Sequence, residues 1–104
     1  MSNNIIYHIV TVSSWDEQSD SDLYRHSSLA TEGFIHASRS TQLAGVLDRY
    51  YQGVDDLLLI TVDIDLLASE SVLKEEMAIS VGEMFPHIYG PINKTAIIEV
   101  KKIR

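Results

Sequence analysis

The sequence predicts an α+β protein in which two or three short helices pack on a mixed or mainly antiparallel β-sheet. Runs of β-branched and aromatic residues indicate strands, one segment has clear helical spacing, and strand-like segments dominate the second half of the chain. The length of 104 residues favours a single domain, residues 1–104, with one core that needs no disulfide or metal to fold.

The first predicted strand is residues 5–12 (IIYHIVTV), in which β-branched and aromatic residues predominate. Ser14 follows, with Glu17 three residues later, and this spacing fits a capping box that begins a short helix. The polar and acidic residues 19–22 then indicate a loop.

The stretch from residue 23 to residue 31 is ambiguous. Ser27-Ser28 can cap a turn of helix that Gly33 ends. Residues 34–38 form the second predicted strand, and alternation divides its side chains between two faces. One face carries Phe34, His36 and Ser38.

The clearest helix of the sequence begins after Ser40, which can cap it, and ends before Gly53. Apolar residues recur there at the spacing i, i+3, i+4 and i+7, which places them on one helical face. They are Leu43, Val46, Leu47 and Tyr50.

The second half is predicted to consist mainly of strands. Residues 57–64 are almost continuously apolar, which is typical of a strand buried on both faces. A turn separates this strand from a further one at residues 71–79, and residues 94–103 form the last strand. Residues 82–91 are interpreted as a loop because they contain two prolines.

Charge and composition exclude several classes of protein. The net charge of −7 argues against a partner such as duplex nucleic acid, whose binding depends on Lys and Arg at phosphates. The chain has no cysteine, which excludes disulfides and thiolate chemistry. Its longest apolar run, Leu57–Ile60, is too short to span a membrane, and the first residues lack a signal-peptide pattern. A cytoplasmic location is the resulting expectation.

Three histidines stand in apolar surroundings: His8, His36 and His87. A neutral histidine needs hydrogen bonds at both ring nitrogens, so packing alone explains such positions poorly. These residues suggest a polar pocket, although a structural hydrogen-bonding role for each remains the alternative. His26, in a polar stretch, is predicted to be solvent-exposed.

The motifs around these histidines resemble those of a bacterial family designated domain of unknown function 952. That family opens with a Tyr-His strand and a Trp, continues with a Gly-Phe-Ile-His segment, and closes with Phe-Pro-His-x-Tyr-Gly. The matching residues here are Tyr7-His8, Trp15, Ser28-Leu29, Glu32–Ser38, Gln42 and Phe85–Gly90.

The family is similar in fold to the ADP-ribosyltransferase superfamily, which has a split antiparallel sheet and a cleft for NAD. The resemblance implies that His8 would hold a ribose hydroxyl and that Glu76, with Glu75 as the less favoured alternative, would stabilise an oxocarbenium ion. His36 or Tyr89 would fill the middle position of the catalytic set.

A pocket is expected along these motifs, with Glu76 at one wall. Tyr89 or Phe34 could stack on nicotinamide, and Arg25 or Arg39 could bind a phosphate, because no Gly-rich phosphate loop is present. The residues expected to line the pocket are His8, Gly33, Phe34, His36, Ser38, His87 and Tyr89.

The best functional hypothesis is therefore binding of NAD or a related ribonucleotide, with glycosyl or phosphoryl transfer on it and NAD as substrate rather than resident cofactor. One alternative is a non-catalytic module that binds a small ligand or a protein. Another is a divalent-metal site. Its ligands would be His8, His36, His87 and Glu76.

Overall fold

Two three-stranded antiparallel sheets joined at one backbone bridge form the frame of the fold. The computed structural model describes residues 4–104. The elements in order are β1 (Ile5–Thr11), α1 (Val12–Asp16), β2 (Leu23–Tyr24), α2 (Ser28–Glu32), β3 (Ile35–His36), α3 (Leu43–Tyr50), β4 (Leu57–Asp63), β5 (Val72–Ala78), β6 (Glu83–Tyr89), β7 (Ile92–Asn93) and β8 (Ile97–Lys102).

The first sheet has the strand order β1-β4-β8 and the second has the order β3-β6-β5, while β2 pairs with β7. Every one of these pairings is antiparallel. The two large sheets meet where Tyr7 and Ser38 exchange backbone hydrogen bonds of 2.8 and 2.7 Å. The predicted α+β class, with mainly antiparallel sheets and short helices, is confirmed.

The core lies against β4, the central strand of the first sheet. Its apolar run is buried almost throughout, as predicted for a strand covered on both faces. Each large aliphatic side chain removed from water stabilises the fold by about 1.5–3 kcal/mol. Fully buried members of this core are Ile6, Ile35, Ile60, Val62, Ile88 and Ile92.

The first helix begins earlier than predicted. Thr11, the last residue of β1, keeps an extended backbone, and its Oγ1 accepts a hydrogen bond from the backbone N–H of Ser14 at 3.2 Å. A threonine at this position satisfies a backbone donor that the first helical turn leaves free. The capping box predicted for Ser14 and Glu17 is therefore wrong.

The segment predicted as a loop at residues 82–91 contains strand β6, and Pro86 lies within it. The carbonyl oxygen of Pro86 accepts a hydrogen bond from the N–H of Ala37, on the β3 side. The N–H and C=O of one residue in a strand point to the same side. The missing N–H of Pro86 therefore faces the end of the two-residue strand β3, and the ladder to β5 is intact.

The other predicted elements are present with shifted ends. The second strand is shorter than residues 34–38, and α3 follows a 3-10 turn at Ser40–Gln42 for which Ser40 is not the cap. The ambiguous stretch supplies β2 and the beginning of α2. None of the helices within residues 4–104 is long and apolar enough to cross a membrane.

Gly33 ends α2 in a left-handed conformation with φ of 89°. Its N–H donates to the carbonyl groups of Ser28 and Leu29, and the space around its Cα is open. Gly33→Ala should therefore cost about 1 kcal/mol of unfolding free energy through backbone strain alone. Gly33→Asn should cost less, because asparagine tolerates this conformation, and urea unfolding of the two variants measures the difference. Equal losses would contradict the backbone explanation.

Candidate functional site

A cavity of about 350 Å³ lies between β1, the segment around β3, helix α3 and the β5–β6 hairpin. Its walls combine apolar and aromatic side chains with several polar groups. The lining residues are Tyr7, His8, Ile9, His26, His36, Ala37, Ser38, Val46, Tyr50, Tyr51, Ala78 and Phe85.

His8 lines this cavity, and its ring is almost completely removed from solvent. Its Nδ1 lies 2.7 Å from the carbonyl oxygen of His36, and its Nε2 lies 2.8 Å from the hydroxyl oxygen of Tyr24. A carbonyl oxygen can only accept, so Nδ1 carries the proton and Nε2 accepts from the Tyr24 hydroxyl. Both nitrogens are satisfied within the protein.

This environment keeps His8 neutral. Burial lowers the pKa of His8 from 6.5 to about 3, against a smaller opposing effect of the hydrogen bond to the His36 carbonyl. The Tyr24 hydroxyl, also buried, has a pKa raised above its ordinary value of 10.0 by desolvation. The contact therefore joins two neutral groups over the whole physiological pH range.

The geometry does not favour the expected role of His8 as a direct hydrogen-bond partner of a ribose hydroxyl. Both ring nitrogens already have partners, and a ligand could take one only by displacing Tyr24 or the His36 carbonyl. His8 instead connects β1 with β2 and β3, and of these β1 and β3 carry residues that line the cavity.

His26 was predicted to be exposed, and this is wrong: it is half-buried, lines the cavity, and meets the His8 ring edge-on at a centroid distance of 5.1 Å. Its Nδ1 accepts from the backbone N–H of Ser28 at 3.1 Å. The proton of the neutral ring is then on Nε2. Burial lowers the pKa of His26, which favours this neutral form.

His36 and Ser38 both line the cavity, as does Ala37 between them. The His36 side chain is about half exposed, and its Nε2 lies 3.1 Å from Oε1 of Glu32 on α2. Ser38 is buried beside the bridge to Tyr7. Of the predicted pocket residues, the cavity thus unites His8, His36 and Ser38.

A second group of predicted residues lies beside the cavity and is called here the Glu76 cluster: Glu76, His87, Tyr89 and Phe34. Oε1 of Glu76 accepts hydrogen bonds from Nδ1 of His87 at 2.8 Å and from the Tyr89 hydroxyl at 2.7 Å. The bond from Tyr89, and secondly that from His87, hold the pKa of Glu76 below its usual value. Phe34 stacks on the His87 ring at 4.1 Å with an interplanar angle of 16°.

His36 connects the two groups. It lines the cavity, and its ring lies edge-on to His87 with a centroid distance of 5.3 Å. Glu76 itself does not line the cavity wall where it was expected, because its carboxylate is held by the two donors on β6.

Three predicted binding residues lie away from the cavity. Gly33 is at the end of α2, and Arg25 is exposed with its backbone N–H bonded to Gln18. Arg39 pairs through its guanidinium with the carboxylate of Glu75, 2.5 Å away. A phosphate-binding role for either arginine stays a prediction.

Tyr50, which the helical spacing placed on the apolar face of α3, and its neighbour Tyr51 both line the cavity. The Tyr51 hydroxyl donates to the carbonyl of Ile9 at 3.3 Å, which attaches the end of α3 to β1. Gln42 is buried, and its Nε2 donates to the carbonyl of Met84 at 2.7 Å, which fixes the beginning of α3 to the β5–β6 hairpin. No motif in the sequence marks Tyr24 or Tyr51 as site residues.

The metal alternative finds no support in the geometry. Within residues 4–104, no group of three or more His, Cys, Asp or Glu side chains is arranged to hold a metal ion. Of its four expected ligands, His8 has both ring nitrogens engaged, and His87 and Glu76 bind each other.

Comparison with known proteins gives a structural likeness and a family. No curated protein matches the chain. The crystal structure of protein CC0527 from Caulobacter crescentus, a structural genomics target, is similar with a TM-score of 0.82 and 25% identity, covering 96% of this chain and 86% of that one. Its solution NMR structure has a TM-score of 0.78 at 25% identity, with 96% and 84% covered.

The family suggested by the histidine motifs is confirmed by a match that spans most of the chain. The family model "Protein of unknown function (DUF952)" matches residues 9–100, and the chain belongs to that family.

Proposed function

We propose that the protein binds the base and ribose of NAD, or of a related ribonucleotide, in the cavity and carries out glycosyl transfer there. The observation that carries the proposal is the make-up of the cavity walls, which combine apolar and aromatic side chains with histidines and a serine hydroxyl. Small-molecule sites typically combine such a surface with a few fixed polar groups.

The size and shape of the site suit a base with its sugar. A volume of about 350 Å³ lies in the lower part of the range seen for small-molecule sites and is too small for a whole dinucleotide. Ile9, Val46 and Phe85 offer surfaces on which a flat ring can pack. No lysine or arginine lines the cavity within residues 4–104, so the phosphates would extend outside it.

The polar contacts to ribose would come from groups whose hydrogen atoms are available. The neutral His26 ring has its proton on Nε2, and Ser38 contributes a hydroxyl. His8 supports them indirectly by holding the His36 carbonyl and Tyr24 in place. This assignment replaces the direct role for His8 that the family resemblance implies.

An ADP-ribosyltransferase-like fold is part of the same proposal. Two antiparallel sheets that meet at the Tyr7–Ser38 bridge, with a cavity beside that junction, are compatible with a split sheet that binds a nucleotide between its halves. Fold likeness alone says little about activity, so the proposal depends on the cavity rather than on the topology.

A cavity-filling variant tests the proposal. In a thermal-shift assay, nicotinamide riboside or NAD at 100 times its dissociation constant should stabilise the wild type by about 2.7 kcal/mol. For a domain of this size that is a rise in Tm of about 10 °C or more. Val46→Trp should abolish the shift, because Val46 lines the cavity and the larger ring occupies its space.

Ala44→Trp provides the matched control, since Ala44 is exposed on the same helix and does not line the cavity. This variant should keep the ligand-induced shift of the wild type. AMP and free ADP-ribose in the same assay show whether nicotinamide is required. A wild type that responds to none of these compounds, or a Val46→Trp protein that responds fully, would refute the proposed site.

A further inference from the structure

The Glu76 cluster contains a histidine whose orientation is fixed and whose second ring nitrogen has no partner. We propose that His87 is the general base that accepts the proton of the attacking hydroxyl group or water molecule during glycosyl transfer, with Glu76 and Tyr89 as its positioning residues. This inference rests on the proposed function and adds to it the step that activates the acceptor.

The hydrogen bonds determine which nitrogen of His87 can act. Nδ1 lies 2.8 Å from Oε1 of Glu76, and an ionised carboxylate can only accept, so Nδ1 carries the proton of the neutral ring. Nε2 is then the basic nitrogen. A carboxylate behind a histidine in this way selects the tautomer and fixes the plane of the ring.

Nε2 of His87 is also reachable. It has no hydrogen-bond partner among residues 4–104. Every fully buried side-chain nitrogen or oxygen atom in this part of the chain does have a partner. It follows that Nε2 keeps contact with solvent although the residue as a whole is 8% exposed. A base that is held rigidly but open at one atom meets the geometric requirement for proton transfer.

The cluster fixes His87 from three directions. Phe34 stacks on its ring at 4.1 Å, and Oε1 of Glu76 holds its Nδ1 edge while also accepting from the Tyr89 hydroxyl. His36 is paired with His87 across the β3–β6 ladder and meets it edge-on. Little rotation of the ring is possible without breaking one of these contacts.

His87 is placed next to the cavity by the strand that carries it. Phe85, two residues earlier and therefore on the same face of β6, lines the cavity. His36, its cross-strand neighbour, lines the cavity as well. The proposal therefore places the acceptor beside the part of the cavity wall that Phe85 and His36 form, on the side of His87.

The step balances without a further reactant. The bond between ribose C1′ and the nicotinamide nitrogen breaks, and nicotinamide leaves as a neutral molecule with the electron pair. A new bond forms between C1′ and the acceptor oxygen, and the acceptor proton moves to Nε2 of His87. The Glu76 carboxylate, 2.8 Å from Nδ1, stabilises the imidazolium that results.

The experiment measures release of nicotinamide from NAD, together with the dissociation constant for NAD, in the full-length protein. His87→Ala should lower kcat by about 100-fold or more, the range for loss of a general base, while the dissociation constant changes little. Added imidazole should restore part of the activity, since it can occupy the space left beside Phe34. Rescue by a general base should follow the concentration of neutral imidazole as the pH is varied, whereas imidazole that only fills space would not show that dependence.

Glu76→Gln is the second variant, because Glu76 is partly exposed and the amide preserves its shape. It should lower kcat at unchanged KM. Glu75→Gln is the matched control. The Glu75 carboxylate lies on the opposite face of β5 from Glu76 and pairs with Arg39, so kcat should stay at the wild-type value.

The outcomes separate this inference from the function on which it rests. NAD binding with no nicotinamide release by the wild type overturns the role of His87 and leaves the binding site standing. Turnover by His87→Ala at the wild-type rate also overturns it. So does a loss of activity in His87→Ala that imidazole does not relieve, if Glu76→Gln keeps full activity. Absence of NAD binding overturns the proposed function and this assignment together.

Discussion

His8→Ala is expected to lower the free energy of unfolding by about 3–5 kcal/mol, which is a large share of the stability of a small domain. The substitution leaves the Tyr24 hydroxyl and the His36 carbonyl without their partner in a buried setting. Each unsatisfied group costs about 1–3 kcal/mol, and the lost ring volume adds a packing cost. Urea unfolding followed by circular dichroism measures the change.

Two further variants divide this cost. Tyr24→Phe removes one hydroxyl and leaves Nε2 of His8 unpaired, so it should lose about 1–3 kcal/mol. His36→Ala keeps the backbone carbonyl that His8 uses and truncates an exposed side chain, so it should lose about 0.5 kcal/mol or less. If His36→Ala were as destabilising as His8→Ala, the backbone bond would not be the source of the effect.

A strand could be predicted from the sequence where its pattern of apolar residues matches its position in the sheet. β4 is central in its sheet and has the continuous apolar run that such a position requires. β6 was missed because a proline normally excludes a central strand. Pro86 is tolerated since its missing N–H faces the short β3, and the length of a neighbouring strand is tertiary information.

The part of the candidate site that comes from one short segment of the chain could be predicted from the sequence. Residues 34–38 were expected to contribute His36 and Ser38 to a pocket, and both line the cavity together with Ala37 between them. Tyr24 and His26 were missed because they belong to a stretch without clear periodicity, and their contacts with His8 depend on how β2 packs against β1. A pairwise contact across 16 residues leaves no local pattern.

The Glu76 cluster could not be predicted as a unit, because its contacts depend on strand register. Glu76 was identified through the family resemblance, and its partners His87 and Tyr89 were identified as separate pocket residues. That one carboxylate joins them depends on the β5–β6 pairing, in which Glu76 lies opposite Phe85 and diagonally from His87 on the same face. A slip of one residue would have turned Glu75 toward His87 instead.

The buried His8 should also make the protein less stable as the solution becomes acidic. Its pKa is about 3 in the folded protein and 6.5 in the unfolded chain. Between these values the unfolded chain binds a proton that the folded protein does not, so unfolding is favoured as pH falls. Stability from this group is complete above pH 6.5 and decreases by about 1.4 kcal/mol per pH unit well below it.

His8→Gln isolates the contribution of that proton, because glutamine does not titrate. Between pH 6.0 and 4.5, the wild type should lose about 2 kcal/mol more unfolding free energy than this variant. Carboxylates shared by both proteins cancel in the difference. His26 has a pKa lowered in the same direction and is less buried, so His26→Gln should remove a smaller part of the pH dependence. Parallel stability profiles for wild type and His8→Gln would mean that His8 is protonated in the folded protein and that the bond from Tyr24 to Nε2 is not formed as described.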